Sequence, residues 1–478
     1  MRAVRSAALL SAVLLPAALL AAPTVGAPVP GAPAEPHARA DDSGWVKLST
    51  KEITNLAESD LLRTSDGMLH VVYPQKSGVN GEYEHTAVST TGAVVSRSTA
   101  VSNWGALTSD PILLPTPGGG MQIVFGGLQD TNVANPYSAG HLYRAVSDGS
   151  GAVWTVNSEA LVKSGYGYAS YGTGATLLPD GTPIQGYPLN STFTWRVGTT
   201  PLPTNEATPP DQSFTIAGGT LLNATLAQSG GNVWAAWYDL DNEGVFVRQI
   251  HPALGPVVKV PGQTSDAIIP DQAIPMVVRP DGSIVVAYCI GYPTCNSVGV
   301  WQLGSTTVHK VPGSKGADSI TMDTGPSGRL WVAWAVGEKI RATRSSPTGF
   351  SFGALRTSDT PDSYYPIYQL KVEASRSEAS LVANDSAGIY HRQLQPGLTL
   401  EADPKKWDGD KSKTVTFRVT DADQPLSGVK VAGGGEKCTT NAKGKCEIIY
   451  SARKPGKIKV KATESGFSPA VVKLKVKP

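Results

Sequence analysis

Short apolar stretches recur along this chain, and the residues just ahead of them are polar or aromatic: Glu58 and Asp60, Asp110, Tyr168 and Tyr171, Asn223, Asp271, Asp318, and Tyr364 with Tyr365. Carboxylates accept hydroxyl protons, and aromatic rings stack on the apolar faces of sugars, so this mixture suits a polyhydroxyl ligand. Two acids at a suitable separation would also serve as general acid and base for glycosidic cleavage. The same residue types cap turns. Other catalytic signatures are missing: the chain has no His-Glu-x-x-His, no Gly-x-Ser-x-Gly and no phosphate-binding loop. "DLDNEG" (239–244) carries carboxylates at alternate positions as a calcium loop does, but Ile250 stands where the bidentate Glu belongs, so it reads as a polar turn. No metal and no cofactor is expected.

Positioning such residues requires a large scaffold. With 478 residues the chain exceeds the roughly 250–300 at which one core stops growing, so several domains or a repeat are required. Its 51 Gly and 36 Pro, with apolar residues in short runs rich in Val, Ile, Tyr and Trp, favour many short strands joined by tight turns. At the N-terminus Arg2 and Arg5 precede an apolar stretch (7–22) and a Pro/Ala-rich tail ending at Ala40. This pattern reads as a signal peptide, residues 1–40, with export to the extracellular side or the cell wall. Pro16 interrupts the stretch and no second one of about 20 residues follows, so no membrane span is expected.

The four cysteines fall into two close pairs, Cys289 with Cys295 and Cys438 with Cys446. In an exported chain with an even count, two local disulfides are the default. Neither pair has the Cys-x-x-Cys spacing of a zinc site.

The scaffold is legible as a repeat. A Gly-centred turn followed by an alternating strand that ends on an aromatic recurs as "SDGMLHVVY", "GGGMQIVF", "PDGTPIQGY", "SGGNVWAAW", "PDGSIVVAY" and "PSGRLWVAW", with a weaker copy near Ser377. The anchors Gly67, Gly120, Gly181, Gly231, Gly282 and Gly328 recur about every 50 residues with no helical pattern. That period means one four-stranded sheet per repeat, the blade of a β-propeller. About seven blades are expected over 41–396, with six as the alternative, the strand before each Gly turn lying innermost. The seventh copy lacks an outer strand, which "GWVKLST" (44–50) would supply, closing the ring. Tyr73, Phe125, Tyr187, Trp237, Tyr288 and Trp334 fit a packing core. A basic residue recurs in the third strand, at His85, Arg144, Arg196, Arg248, Arg341 and Arg392; one per blade is a structural device before it is a ligand.

The segment "LYRAVSDGSGAVW" (142–154) resembles the bacterial neuraminidase repeat, or Asp-box, of sialidase-like propellers, matching it at Ser147, Gly151 and Trp154. Position 149 is Gly and the nearest carboxylate, Asp148, stands one residue early. The resemblance implies a sialidase-like propeller and, for an active member, an Arg triad opened by a Phe/Tyr-Arg-Ile-Pro motif. Arg63 lies early but is not followed by Ile and Pro, so no catalytic residue is assigned.

Residues 397–478 resemble bacterial immunoglobulin-like adhesion and spacer modules: a small β-sandwich in which "NAKG" (441–444) turns a hairpin between Cys438 and Cys446. From Leu398 onward 17 Lys and Arg stand against 9 Asp and Glu, so this part carries +8 and the remainder −6 of the net +2. A solvated face that protects edge strands accounts for such lysines; adhesion to an anionic polymer is the sharper reading. The chain as a whole reads as an all-β, monomeric binder of a glycan or cell-wall polymer, with no nucleic-acid partner. A sialidase-like glycoside hydrolase and a protein-interaction scaffold are the alternatives.

Overall fold

A computed structural model describes residues 44–51, 53, 58–77, 80–104, 106–107, 111–128, 141–163, 172–199, 212–263, 273–291, 294–347, 349–362 and 366–478. The proposed signal peptide lies outside them. Among the described residues there is no α-helix, and no helix long and apolar enough to cross a membrane.

Strands from 60 to 394 group in chain order into antiparallel sheets spanning 60–104, 106–163, 174–215, 221–259, 276–310, 318–359 and 369–394. Hydrophobic clusters join them pairwise. Leu113 and Ile123 of the second sheet pack with Val72 and Tyr83 of the first. Leu142 of the second meets Tyr187 of the third, and Phe193 of the third meets Trp237 of the fourth. Tyr238 and Val286, Val300 and Val332, and Ala333 and Leu381 continue the series through the fifth, sixth and seventh. Val382 and Ile389 of the seventh then pack on Leu69, Val71 and Tyr73 of the first, so the order of packing returns to its start. This is a β-propeller fold.

The seventh sheet is completed from the other end of the chain. Val46–Lys47 pairs antiparallel with Gly388–Leu394, with Val46 opposite His391 and Lys47 opposite Tyr390. Trp45, fully buried, donates its indole N–H to the carbonyl of Asp359 in the sixth sheet at 2.9 Å. The repeat's aromatics Tyr73, Phe125, Tyr187, Trp237, Tyr288 and Trp334 are all buried.

Two details of the repeat depart from the sequence reading. In the second copy the left-handed turn residue is Gly119 (φ +79°), not Gly120, where a Cβ would lie 2.4 Å from the carbonyl oxygen of Ser147. The third-strand basic residues do not share a register. Tyr73 pairs with Glu84 and Phe125 with Tyr143, so His85 and Arg144 stand one residue beyond the aromatic's partner. Tyr187 pairs with Thr194 and Trp237 with Phe246, so Arg196 and Arg248 stand two beyond, whereas Arg341 is itself the partner of Trp334. Since side chains alternate between faces, a one-residue offset sends His85 and Arg144 to the other side of their sheets. Their structural use holds all the same: Arg248 lies over the Phe214 ring of the preceding sheet, 4.6 Å from its centre, and Arg341 donates to the carbonyl of Gly313 at 2.8 Å.

Beyond residue 398 two further sheets share one core. One holds Thr399–Asp403, Lys413–Asp421, Gln424–Pro425 and Lys445–Tyr450; the other runs in the order Lys406–Asp408, Ala470–Lys477, Gly456–Thr463, Lys430–Gly433, Glu436–Thr439. Val415, Phe417, Ile448 and Tyr450 of the first face Val431, Val460, Ala462 and Leu474 of the second. The 441–444 turn does not make the hairpin expected of it. Glu436–Thr439 and Lys445–Tyr450 belong to different sheets, so the turn is a corner that carries the chain from one to the other. Thr440 holds this corner, its side chain accepting from Val429 N at 3.0 Å and donating to the Leu426 carbonyl at 2.6 Å. Both disulfides are formed, Cys289–Cys295 within the fifth sheet and Cys438–Cys446 between the two C-terminal sheets.

These sheets are seated on the sixth sheet of the propeller. Asp421, buried, receives Arg329 at 3.0 Å and Arg344 at 2.5 Å, and Arg344 also donates to the carbonyl of Ser377 and lies over the Phe467 ring. Gly353 closes against Ala422, where an added Cβ would come within 3.0 Å of the backbone nitrogen. Removing one partner of such a pair strands the other charges in a low-dielectric site. Asp421→Ala is therefore expected to destabilise the whole chain by about 3–5 kcal/mol, measured as a shift of the denaturant midpoint; a loss below about 1 kcal/mol would place the guanidinium groups in solvent.

Candidate functional site

The first strands of the sheets line a central channel, and each exposes backbone N–H groups toward its neighbour. Side chains satisfy them. Asp60 accepts from Leu113 N at 2.7 Å, Thr321 from Val372 N at 3.2 Å, Asp323 from Ala374 N at 2.7 Å and Gln369 from Ser59 N at 2.6 Å. Glu58, buried, reaches further: one carboxylate oxygen accepts from Ala273 N at 3.1 Å and the other lies 3.3 Å from the Lys371 ammonium.

The structure disperses the residues singled out from sequence. Asp60 lines a channel cavity of about 250 Å³ together with Asp323, Lys371, Glu373, Thr225 and Thr321. Asn223 (φ +57°) borders a separate cavity of about 20 Å³, room for one water, and its carbonyl accepts from Ile274 N. Asp318 is exposed at the start of the sixth inner strand and accepts from Ser319 N. Asp110, Tyr168, Tyr171, Asp271, Tyr364 and Tyr365 lie outside the described residues. The 239–244 segment is a turn, Asp239 accepting from the backbone and side chain of Asn242.

Sequence reasoning missed Asp323, Lys371 and Glu373, which sit within the inner strands or at their ends. Their signal was a charge inside a short apolar strand. Glu373 accepts from Arg63 Nε at 2.6 Å, and Arg63 further donates to the Gly67 carbonyl and Ser380 Oγ, both at 2.8 Å. Arg63 is thus committed to clamping the first sheet to the seventh. Burial raises the Asp60 carboxyl against the pull of Lys371 and of Leu113 N–H. Burial pushes Asp323 to about 7 against two backbone N–H donors, and Glu373 and Asp60 push it the same way. Among the described lining residues Lys371 is the one cation beside three carboxyls.

A second group of titratable residues lies outside the channel. His70 Nδ1 and His85 Nε2 are 2.8 Å apart in stacked rings, with Thr64 on one side at 3.1 Å and Ser98 on the other at 3.1 Å. Gly151 (φ +68°) admits this arrangement, since a Cβ there would lie 2.2 Å from the His85 ring. Burial, reinforced by His70, pushes His85 down to about 3, and burial, reinforced by Arg63, pushes His391 to about 4.

No family model matches the chain, and no curated protein matches it. Among solved structures it is similar to an extracellular domain from a B. thetaiotaomicron protein described as a hybrid two component system (10% identity, 88% of this chain and 68% of that one, TM-score 0.31). It is also similar to the Malassezia sympodialis allergen Mala s 1 (13%, 60% and 89%, 0.36). A third is a GH43 β-xylosidase/α-arabinofuranosidase from a compost microbial metagenome (11%, 74% and 94%, 0.32).

The buried histidines set an acid limit. A histidine whose folded pKa lies below its unfolded value of about 6.5 contributes stability that is present at neutral pH and lost as pH falls from there toward the folded value. His391→Phe is expected to reduce the stability lost between pH 7 and pH 5 by up to about 2 kcal/mol, read from urea midpoints at both pH values; an unchanged difference would show that His391 titrates alike in the folded and the unfolded chain.

Proposed function

We propose that this protein is an exported, seven-bladed, sialidase-like β-propeller, spanning 41–396 after removal of 1–40. It binds an extracellular or cell-wall carbohydrate at the channel, and residues 397–478 form an immunoglobulin-like accessory domain. The observation that carries the reading is the channel cavity of about 250 Å³ lined by Asp60, Asp323, Glu373 and Lys371. Its volume, near the lower end of small-molecule pockets, suits a single sugar unit or a chain end. Carboxylates accept sugar hydroxyls and the Lys371 ammonium donates to ring or hydroxyl oxygens. Glu58, Asp110, Tyr168, Tyr171, Asn223, Asp271, Asp318, Tyr364 and Tyr365 stand in this reading as further candidates for ligand contact, proposed from the sequence alone. The seven sheets packed in a closed order support the blade count. The turn in which Ser147 Oγ donates to the Val153 carbonyl and the Trp154 indole to that of Gly151 supports the sialidase-like assignment. The protein acts as a monomer.

One observation favours a second reading, a glycoside hydrolase. Burial pushes Asp323 up to about 7 in the cavity that Asp60 and Glu373 also line, so a candidate general acid stands beside two further carboxyls, as glycosidic cleavage needs.

The mature protein applied to a glycan and cell-wall polysaccharide array, with analysis of released sugars, separates the readings. Binding without release is expected, weakened at least about tenfold, or 1.4 kcal/mol, in Lys371→Met and Asp60→Asn proteins of unchanged melting temperature. Released sugar that disappears in Asp323→Asn would establish the hydrolase, and an array blank throughout would refute a carbohydrate ligand.

A further inference from the structure

The second C-terminal sheet turns one face to the core and the other to solvent, and the solvent face is built of lysine. Along Gly456–Thr463 the buried residues Ile458, Val460 and Ala462 alternate with exposed Lys457, Lys459 and Lys461. Along Ala470–Lys477 buried Leu474 and Val476 alternate with exposed Lys473 and Lys475. The register sets these charges against one another: Lys457 is directly opposite Lys475, which is opposite Lys406 on its other side, and Lys459 is directly opposite Lys473.

Protection of an open edge accounts for only part of this arrangement. Lys461 and Lys475 stand where their strands are paired on both sides, whereas Lys457, Lys459 and Lys473 stand where one side alone is paired. Stability does not account for it, because like charges directly opposite on a sheet are destabilising. Among the described residues no ion pair neutralises any of these six, and the one acid paired on this face is Asp408, opposite Lys477 at its margin. A flat lattice of cations kept at a cost in fold stability points to a partner with a matching array of anions.

The choice of residue narrows the partner. The face carries lysine and no arginine, hence compact point charges that bind by charge and spacing and lack the fork that grips carboxylate or phosphate in two places. It offers no aromatic ring on which a nucleic-acid base could stack. Same-face positions lie about 5 Å apart across strands and about 7 Å apart along them, a spacing suited to a flexible chain with one phosphate per short repeat. We propose that this face is a binding site for a phosphodiester-linked polyol polymer of the cell envelope, independent of the channel and of its ligand.

The test uses the full-length mature protein with synthetic poly(glycerol phosphate), poly-L-glutamate of equal charge, and phosphatidylglycerol/phosphatidylcholine vesicles, each titrated from 0.05 to 0.3 M salt. Binding to poly(glycerol phosphate) is expected to weaken linearly in log K against log salt, as release of condensed counterions requires. Lys473→Glu is the decisive variant, since it places an acid opposite Lys459 and so removes two cations from the lattice while giving the fold a cross-strand ion pair. It is expected to reduce affinity at least about tenfold and the salt slope by about two, with the melting temperature unchanged or raised. Wild-type affinity and slope in Lys473→Glu, equal binding to poly-L-glutamate, or binding to vesicles alone would each overturn the proposal. Loss of carbohydrate binding at the channel would leave it untouched.

Discussion

The strands that line the channel are short, and their backbone N–H groups cannot all be spent within their own sheets. A buried N–H left without an acceptor costs free energy comparable to a lost hydrogen bond, so closing the sheets round a channel requires acceptors from neighbouring sheets, most of them here side-chain oxygens. Asp60, Thr321, Asp323, Gln369 and Glu58 supply these, each bonding an N–H of another sheet. The polarity of the channel is therefore a condition of closing it. Asp60 and Asp323 also line the channel cavity with Lys371, and the burial that serves the ring raises both carboxyls.

Much of this was legible in the sequence because it is carried by local patterns. The glycine turns, the alternating strands and the aromatics that end them recur with a period, and their burial followed. The pairing of the N-terminal segment with the last sheet was legible from a missing strand at one end and a spare strand at the other. What stayed hidden depends on contacts between distant segments. Asp323 and Glu373 look like stray charges at the ends of apolar strands until the neighbouring sheet shows which N–H or guanidinium each one meets. The basic residues looked equivalent because the motif strings can be aligned, yet pairing register, not spacing from a glycine, decides which face a side chain occupies. The 441–444 corner misled for a related reason: a tight turn states that the chain reverses, but not that the two strands stay in one sheet.

The C-terminal sheets resemble a spacer in composition, but their seating is not that of a spacer. Asp421 sits at the tip of a tight turn, with Ala422 and Asp423 in left-handed backbone (φ +47° and +66°), and presents its carboxylate to two guanidinium groups rooted in the sixth sheet. A buried triad of this kind contributes orientation more than stability. It fixes the lysine face in a constant attitude to the propeller.

The strand Val46–Lys47 ties a segment made early to one made late: Ser49 accepts a hydrogen bond from Ile389, 340 residues further on. During synthesis the early segment must wait, unpaired, until almost the whole propeller has emerged. Contacts of such long range make closure a slow and late event. The ring thus acts as a check on its own completeness, because a chain that ends before the seventh sheet presents an unmated strand at one end and an open sheet edge at the other, both of them marks that quality-control proteases can read.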